Sequence, residues 1–172
     1  MPQQKDTLQV TLVPKEESGR LWRLLQKYLC EFSKWEKTDV EEDGDFSYPY
    51  FSCYWQEENR WPLLFWYEGH MAGFALVNDY PESGIKTDYV MGEFFILPKY
   101  RQKGLGSQAA GQIFTRFAGS WQLKYHPHNR ASVGFWERLA TQYAKDGVRR
   151  EEHLPEARYE DGTDGVVLFF TT

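Results

Sequence analysis

The sequence predicts an α/β fold: a single mixed, mostly antiparallel sheet flanked by helices. Three observations point to it. "PLLFWYEGHMAGFALV" (62–77) places two apolar runs around Glu68-Gly69, the pattern of a β-hairpin. "YVMGEFFIL" (89–97) is the most convincing buried strand, and a helix-periodic segment follows it. Helical and strand-like segments then alternate to the end of the chain, which suits one sheet covered by helices.

In chain order, "TLQVTLV" (7–13) alternates as a strand and is closed by Pro14. From Ser18 to Glu36, Leu21, Leu24, Leu25, Tyr28, Leu29, Phe32 and Trp35 recur at helical spacing. "EKTDVEEDGD" (36–45) is an acidic loop, and the aromatic stretch after it is irregular, with room for one short helix. Between Leu105 and Phe117, Ala109, Ala110, Ile113 and Phe114 mark a second helix. "SWQLKY" (120–125) alternates as a strand. Asn129 is a good N-cap for a third helix reaching Tyr143, with Val133, Trp136, Leu139 and Ala140 as its apolar stripe. "REEHLPEARYEDGTDG" (150–165) reads as a polar loop before a terminal strand at 164–172. No repeat or linker interrupts the pattern, so residues 1–172 are expected to form one domain.

Composition narrows the function. Twenty basic residues against 25 acidic ones give a net charge of −5, which disfavours nucleic acid as a partner because phosphate neutralisation needs a basic face. The two cysteines, Cys30 and Cys53, form neither a disulfide framework nor a CxxC pair, which fits a reduced, cytoplasmic setting. No apolar run has transmembrane length, and the N-terminus lacks a signal-like apolar region. Aromatic residues are 17% of the chain, enough to line a pocket as well as a core.

One stretch carries chemistry. "YRQKGLGSQ" (100–108) follows the buried strand and a proline, where a helix is about to start. A helix N-terminus exposes unpaired N–H groups and about half a positive charge, and glycine lets an anion come close. Gly104 and Gly106 supply that approach, Arg101 and Lys103 add charge, and Ser107 adds a hydroxyl. It is not a Walker A loop, since no G-K-[ST] follows. "GLGSQA" fits a loose dinucleotide fingerprint, but "YHPHN" stands where that fingerprint wants an acid.

"FFILPKYRQKGLG" resembles the V-x-P-x-Y-R-x-x-G-x-G pattern of the GNAT superfamily, the acyl-CoA-dependent N-acetyltransferases. Downstream, "NRASVGFWERLA" resembles that family's N-x-x-A-x-x-F-Y-x-K-x-G segment, departing from it at Ser132, Trp136, Arg138 and Ala140. The resemblance implies acetyl-CoA as cofactor and a GNAT-like sheet whose central strand pair splays apart. It implies that the pyrophosphate rests on Arg101, Gln102, Lys103, Gly104, Leu105, Gly106 and Ser107. It also implies that pantetheine lies against Ile96, Leu97, Asn129 and Trp136, between the strand ending near Leu97 and strand 120–125.

Acyl transfer to an amine needs a base, an oxyanion donor and a leaving thiolate. Glu93 interrupts an apolar strand, where burial raises a carboxylate's pKa toward neutrality, so it is the candidate base. At Trp136 the family commonly has a tyrosine that protonates the thiolate, and an indole N–H has no proton to give. Tyr125 is the candidate acid in its place, with His126 and water as alternatives. His126-Pro-His128 lacks a third ligand, so no metal is expected.

Acids in loop 36–45 (Glu41, Glu42 and Asp43 among them) and in the loop before the last strand, beside Tyr48, Tyr50, Tyr54 and Trp55, suit a cationic acceptor. The expected function is transfer of an acetyl group to a primary amine, a small molecule or a basic peptide, by a monomer or homodimer without nucleic acid or membrane. The alternatives are a CoA-binding module without efficient turnover, favoured only by Trp136, and an unrelated nucleotide-binding domain.

Overall fold

Among the described residues, seven strands form one sheet in the order β1-β2-β3-β4-β5-β7-β6, and every neighbouring pair is antiparallel except β4 and β5. The structure is a computed structural model that describes residues 7–172. The strands are β1 (Gln9–Leu12), β2 (Arg60–Tyr67), β3 (His70–Asn78), β4 (Tyr89–Ile96), β5 (Ser120–Tyr125), β6 (Arg149–Glu151) and β7 (Val166–Thr171). The helices are α1 (Ser18–Glu36), α2 (Leu105–Arg116) and α3 (Arg130–Tyr143). This is the mixed, mostly antiparallel sheet that the sequence predicts. Among the described residues no helix is long and apolar enough to cross a membrane.

Period-two alternation divides the strand side chains between two cores. Leu63, Phe65, Ala75 and Val77 face α2 and α3, where they meet Ile113, Phe114 and Leu139. Leu64, Phe74, Leu76 and Phe95 face α1 and its buried stripe of Leu21, Leu24, Leu25 and Tyr28. The β2–β3 hairpin closes on Glu68 (φ 50°) and Gly69 (φ 76°), both left-handed, as a tight two-residue turn requires.

One expectation needs correction. The segment after α3 is not all loop: Arg149–Glu151 pairs with β7 as the outermost strand. Three charged residues carry no alternation to read, yet charge is what keeps such an edge from pairing with another chain.

The feature that creates the site is the incomplete pairing of β4 and β5. They pair only at Tyr89↔Trp121, Val90↔Gln122 and Met91↔Leu123. On the other side of β4 the register with β3 passes from Val77↔Met91 to Leu76↔Glu93, leaving Gly92 unmatched as a bulge. A bulge bends its strand, and β4 leaves β5 at that residue. The closed end is held by buried Gln122, whose Nε2 donates to the Ile85 carbonyl at 2.6 Å and to Thr87 Oγ1 at 2.9 Å. Ser83 Oγ donates to Gln122 Oε1 at 2.7 Å, so the 79–88 connection is clamped to the closed end.

A Cβ added at Gly92 would lie 2.8 Å from Asn78 Nδ2 and 3.1 Å from the Leu76 carbonyl oxygen. Asn78 Nδ2 is the donor to the Tyr54 hydroxyl at 2.8 Å. Gly92→Ala should therefore destabilise the fold by about 1–3 kcal/mol, or roughly 2–4 °C of Tm per kcal/mol at this chain length. Thermal denaturation reads it, and an unchanged Tm would mean that the bulge does not depend on this residue.

Candidate active site

A cavity of about 100 Å³ opens where β4 and β5 part. Its walls come from Tyr28, Phe32 and Glu36 of α1, Glu93 and Phe94 of β4, Leu123 to His126 at the end of β5, and Trp136 of α3, with Glu82 and Tyr159 from the loops. Of the acids foreseen in loop 36–45, only Glu36 reaches this wall; Glu41, Glu42 and Asp43 are exposed.

Glu93 sits on the α1 side of β4, just past the bulge. Tyr48 donates its hydroxyl to Glu93 Oε1 at 3.1 Å, and Tyr28 adds a second hydrogen bond. Burial pushes the Glu93 carboxyl up to about 8, and the charges of Glu82 and Glu36 act in the same direction. The two tyrosine hydroxyls partly offset this, because they favour the carboxylate. Burial and Glu93 in turn hold both tyrosines well above the usual phenol range, so they remain donors.

Between Pro98 and α2 the backbone forms a cradle. Gln102 (φ 60°) and Gly104 (φ 75°) are both left-handed, a shape that turns N–H groups into one concavity. A Cβ at Gly104 would meet nothing within 4 Å, so this glycine faces open space at the N-terminus of α2. Gly106 serves packing instead. A Cβ there would lie 3.1 Å from the Phe135 ring, so the residue lets α2 pack against α3.

Arg101 also departs from expectation. Its Nε donates to the Ile96 carbonyl at 2.8 Å, and its Nη2 meets Glu31 Oε2 at 2.9 Å, so it ties the loop to β4 and α1. The cation beside Ser107 is instead Arg138, whose Nη2 donates to Ser107 Oγ at 3.1 Å.

The Leu97 N–H donates to the Ala72 carbonyl at 2.9 Å, and the Leu97 carbonyl accepts from the Tyr100 N–H at 2.8 Å, so its peptide groups are taken. Strand alternation turns the peptide groups of Phe94 and Ile96 toward the side that β5 has left. Leu97 therefore has no free peptide group for the expected pantetheine contact, whereas Phe94 and the Ile96 N–H face the open side.

The profile of the Acetyltransferase (GNAT) family matches residues 21–140. The chain belongs to the GNAT acetyltransferase family. Solved structures agree in fold at low identity. An acetyltransferase of the GNAT family from Streptococcus agalactiae aligns with a TM-score of 0.67 at 17% identity, covering 96% of this chain and 95% of that one. The ribosomal-protein-S18-alanine N-acetyltransferase from Escherichia coli aligns at 0.61 and 14%, covering 96% and 94%. Arabidopsis thaliana Naa50, solved with the bisubstrate analogue CoA-Ac-MVNAL, aligns at 0.61 and 13%, covering 96% and 99%. None of the curated proteins matches.

Within this GNAT domain, Trp136 packs edge-on against Phe94 (ring centroids 4.9 Å apart) and Phe135 (4.7 Å) and lines the cavity. Tyr125 donates its hydroxyl to Glu137 Oε1 at 2.6 Å. Burial, and then Glu137, push that hydroxyl up to about 12, which makes it a poor proton source. His126 accepts the His128 N–H on Nδ1 at 3.2 Å, which leaves Nε2–H to donate to Asp161 Oδ2 at 2.9 Å. Both ring nitrogens are therefore occupied. Asn129 accepts from the Ser132 N–H at 3.4 Å as the N-cap of α3.

Tyr28, Glu82, Tyr159 and Arg138 did not stand out in the sequence as site residues, and Tyr48 did so only as an aromatic face for the acceptor. Tyr28 carries the one local signal, a hydroxyl at a core position of the α1 stripe. The others reach the site only through long-range packing.

The Glu93 pKa sets a pH dependence of stability. A carboxyl at about 8 in the folded state and near 4.5 when unfolded takes up a proton on folding between those values. Its contribution therefore falls as pH rises across that window and levels off above it. Tm measured from about pH 5 to about pH 8 should drop less in Glu93→Gln than in the parent. Parallel curves would show that Glu93 titrates as an ordinary carboxyl.

Proposed function

We propose that this protein is an N-acetyltransferase that moves an acetyl group from acetyl-CoA to a primary amine, with Glu93 as general base. The observation that carries the reading is the place of Glu93. It lies on the wall of a cavity opened by the parting of β4 and β5, is hydrogen-bonded by two tyrosines, and has a pKa of about 8. A base poised near the working pH is the one that transfers protons best.

GNAT proteins use acetyl-CoA, and the residues present suit it. The left-handed Gly104 with open space above it, the N–H groups at the start of α2, Lys103, Ser107 and Arg138 would hold the pyrophosphate. The open edge of β4 at Phe94 and Ile96, with Trp136 alongside, would hold the pantetheine arm. When bound, acetyl-CoA supplies a thioester: the amine nitrogen forms a new C–N bond to its carbonyl carbon, and the C–S bond breaks.

Glu93 takes the proton that the amine loses. Tyr28 and Tyr48 keep the carboxyl fixed in both of its protonation states. Tyr125, tied to Glu137, is assigned no proton transfer. A thiolate with an ordinary thiol pKa of about 8.5 can leave and be protonated by water. The second reading, a CoA-binding domain without efficient turnover, draws on Trp136 and on this engaged Tyr125 hydroxyl.

Acetyl-CoA should raise the Tm, by about 2.7 kcal/mol of stability at a hundredfold excess over its Kd, whereas ATP and NAD should not. Gly104→Val should abolish the shift, and a shift that survives would remove the anion site from α2. In a thiol-release assay with a panel of amines, Glu93→Gln should lower turnover by about two to four orders of magnitude while acetyl-CoA still binds. The loss should shrink at high pH, where the amine is already neutral. Full rate in Glu93→Gln at neutral pH would place the base elsewhere, and acetyl-CoA binding with no turnover on any amine would favour the second reading.

A further inference from the structure

The cavity that Glu93 borders carries further acids on its wall. Glu36 and Glu82 both border it, and Lys124 is the cation beside them. Lys124 Nζ is paired with Glu82 Oε2 at 3.4 Å and lies 4.6 Å from the centre of the Tyr159 ring. Among the described residues, Glu36 has no ion-pair or hydrogen-bond partner. Its carboxyl is held above the usual range by burial, with Lys124 partly offsetting this and Glu82 and Glu160 adding to it.

A second observation points the same way. Tyr159 is 6% exposed and borders the cavity. Its ring packs on His126 at 4.7 Å, which Asp161 anchors in turn. Yet its hydroxyl has no hydrogen-bond partner among the described residues, and the oxygen is not sealed in apolar packing. The ring is buried, and its oxygen opens onto the cavity that Glu36, Glu82 and Glu93 also border. A phenol oxygen that opens onto a cavity bordered by carboxyls is placed to accept from a bound donor.

The volume restricts what can bind. About 100 Å³ is below the usual range for small-molecule pockets, and Tyr28, Phe32, Tyr159 and Trp136 wall it with rings. Such a space between rings suits a thin aliphatic chain better than a branched or cyclic one.

We propose that Glu36, Glu82 and Tyr159 form a subsite for a second ammonium group, so that the acceptor is an unbranched aliphatic diamine. This rests on the acetyltransfer reading above. One amine is placed at Glu93 and reacts. The other stays protonated, donates to Glu36 and to the Tyr159 oxygen, and completes the charge that Lys124 leaves unmatched.

The test compares 1,4-diaminobutane with n-butylamine, which has the same chain and no second amine, and with a lysine-containing peptide, by thiol release from acetyl-CoA. The diamine should exceed the monoamine in kcat/KM by about ten- to a hundredfold, the range for a hydrogen bond to a charged group. Glu36→Gln should collapse that ratio toward one, mainly through KM, and Tyr159→Phe should reduce it. Glu41→Gln, in the exposed loop, should leave it unchanged.

A parental ratio near one, or an equal loss for both amines in Glu36→Gln, would overturn the subsite. Turnover on the peptide alone would assign the cavity to a macromolecular acceptor instead. If no amine releases thiol, acetyltransfer itself fails, and calorimetry of 1,4-diaminobutane against n-butylamine decides the subsite separately. Diamine-selective binding lost in Glu36→Gln supports it, and equal or absent binding overturns it.

Discussion

β4 and β5 stop pairing in the middle of the sheet, and the chemistry of this protein depends on that. Peptide groups in a sheet interior normally find partners in the next strand. Here the bulge at Gly92 bends β4 away after Met91, and the peptide groups of Phe94 and the N–H of Ile96 face a gap, while Arg101 takes the Ile96 carbonyl. A gap in a sheet would be costly if it could spread. Gln122, fixed by Ile85, Thr87 and Ser83, keeps the other end closed. Rigidity at one end is what permits an opening at the other.

The same parting explains the electrostatics. A carboxyl between two paired strands would be packed against apolar side chains or forced to the surface. At the split, Glu93 is desolvated yet reachable, and the hydroxyls of Tyr48 and Tyr28 fix its position. Glu36 and Glu82 are drawn to the same space from α1 and from the clamped connection, and Lys124 forms its ion pair with Glu82. The cavity thus gathers carboxyls, in a protein whose other acids largely face solvent or pair with arginines.

Neighbours in sequence divide their roles in ways that a motif does not reveal. Gly104 and Gly106 are two residues apart, yet one faces open space in a left-handed turn and the other admits the Phe135 ring. Arg101 is part of the motif but braces the loop through Ile96 and Glu31, while Arg138, from a different helix, stands at Ser107. Tyr125 borders the cavity, but its hydroxyl turns to Glu137.

By itself the sequence determined the extents of α1 and β5, the hairpin turn, the N-cap at Asn129 and the family. Each of these follows from local signals: the period of apolar residues, left-handed turn residues, a capping side chain, a glycine loop after a buried strand. Glu93 was legible too, because one acid in an apolar strand is a local anomaly. Tertiary structure alone decided the rest. β6 exists because β7 offers an edge, not because "RRE" favours a strand. Glu82 and Tyr159 enter the site through contacts between segments far apart in the chain, and hydrogen-bond geometry directs Arg101 and Tyr125 away from the roles their positions imply. Periodicity and capping act over a few residues, whereas the direction of a polar side chain is set by whichever partner the fold brings within about 3 Å.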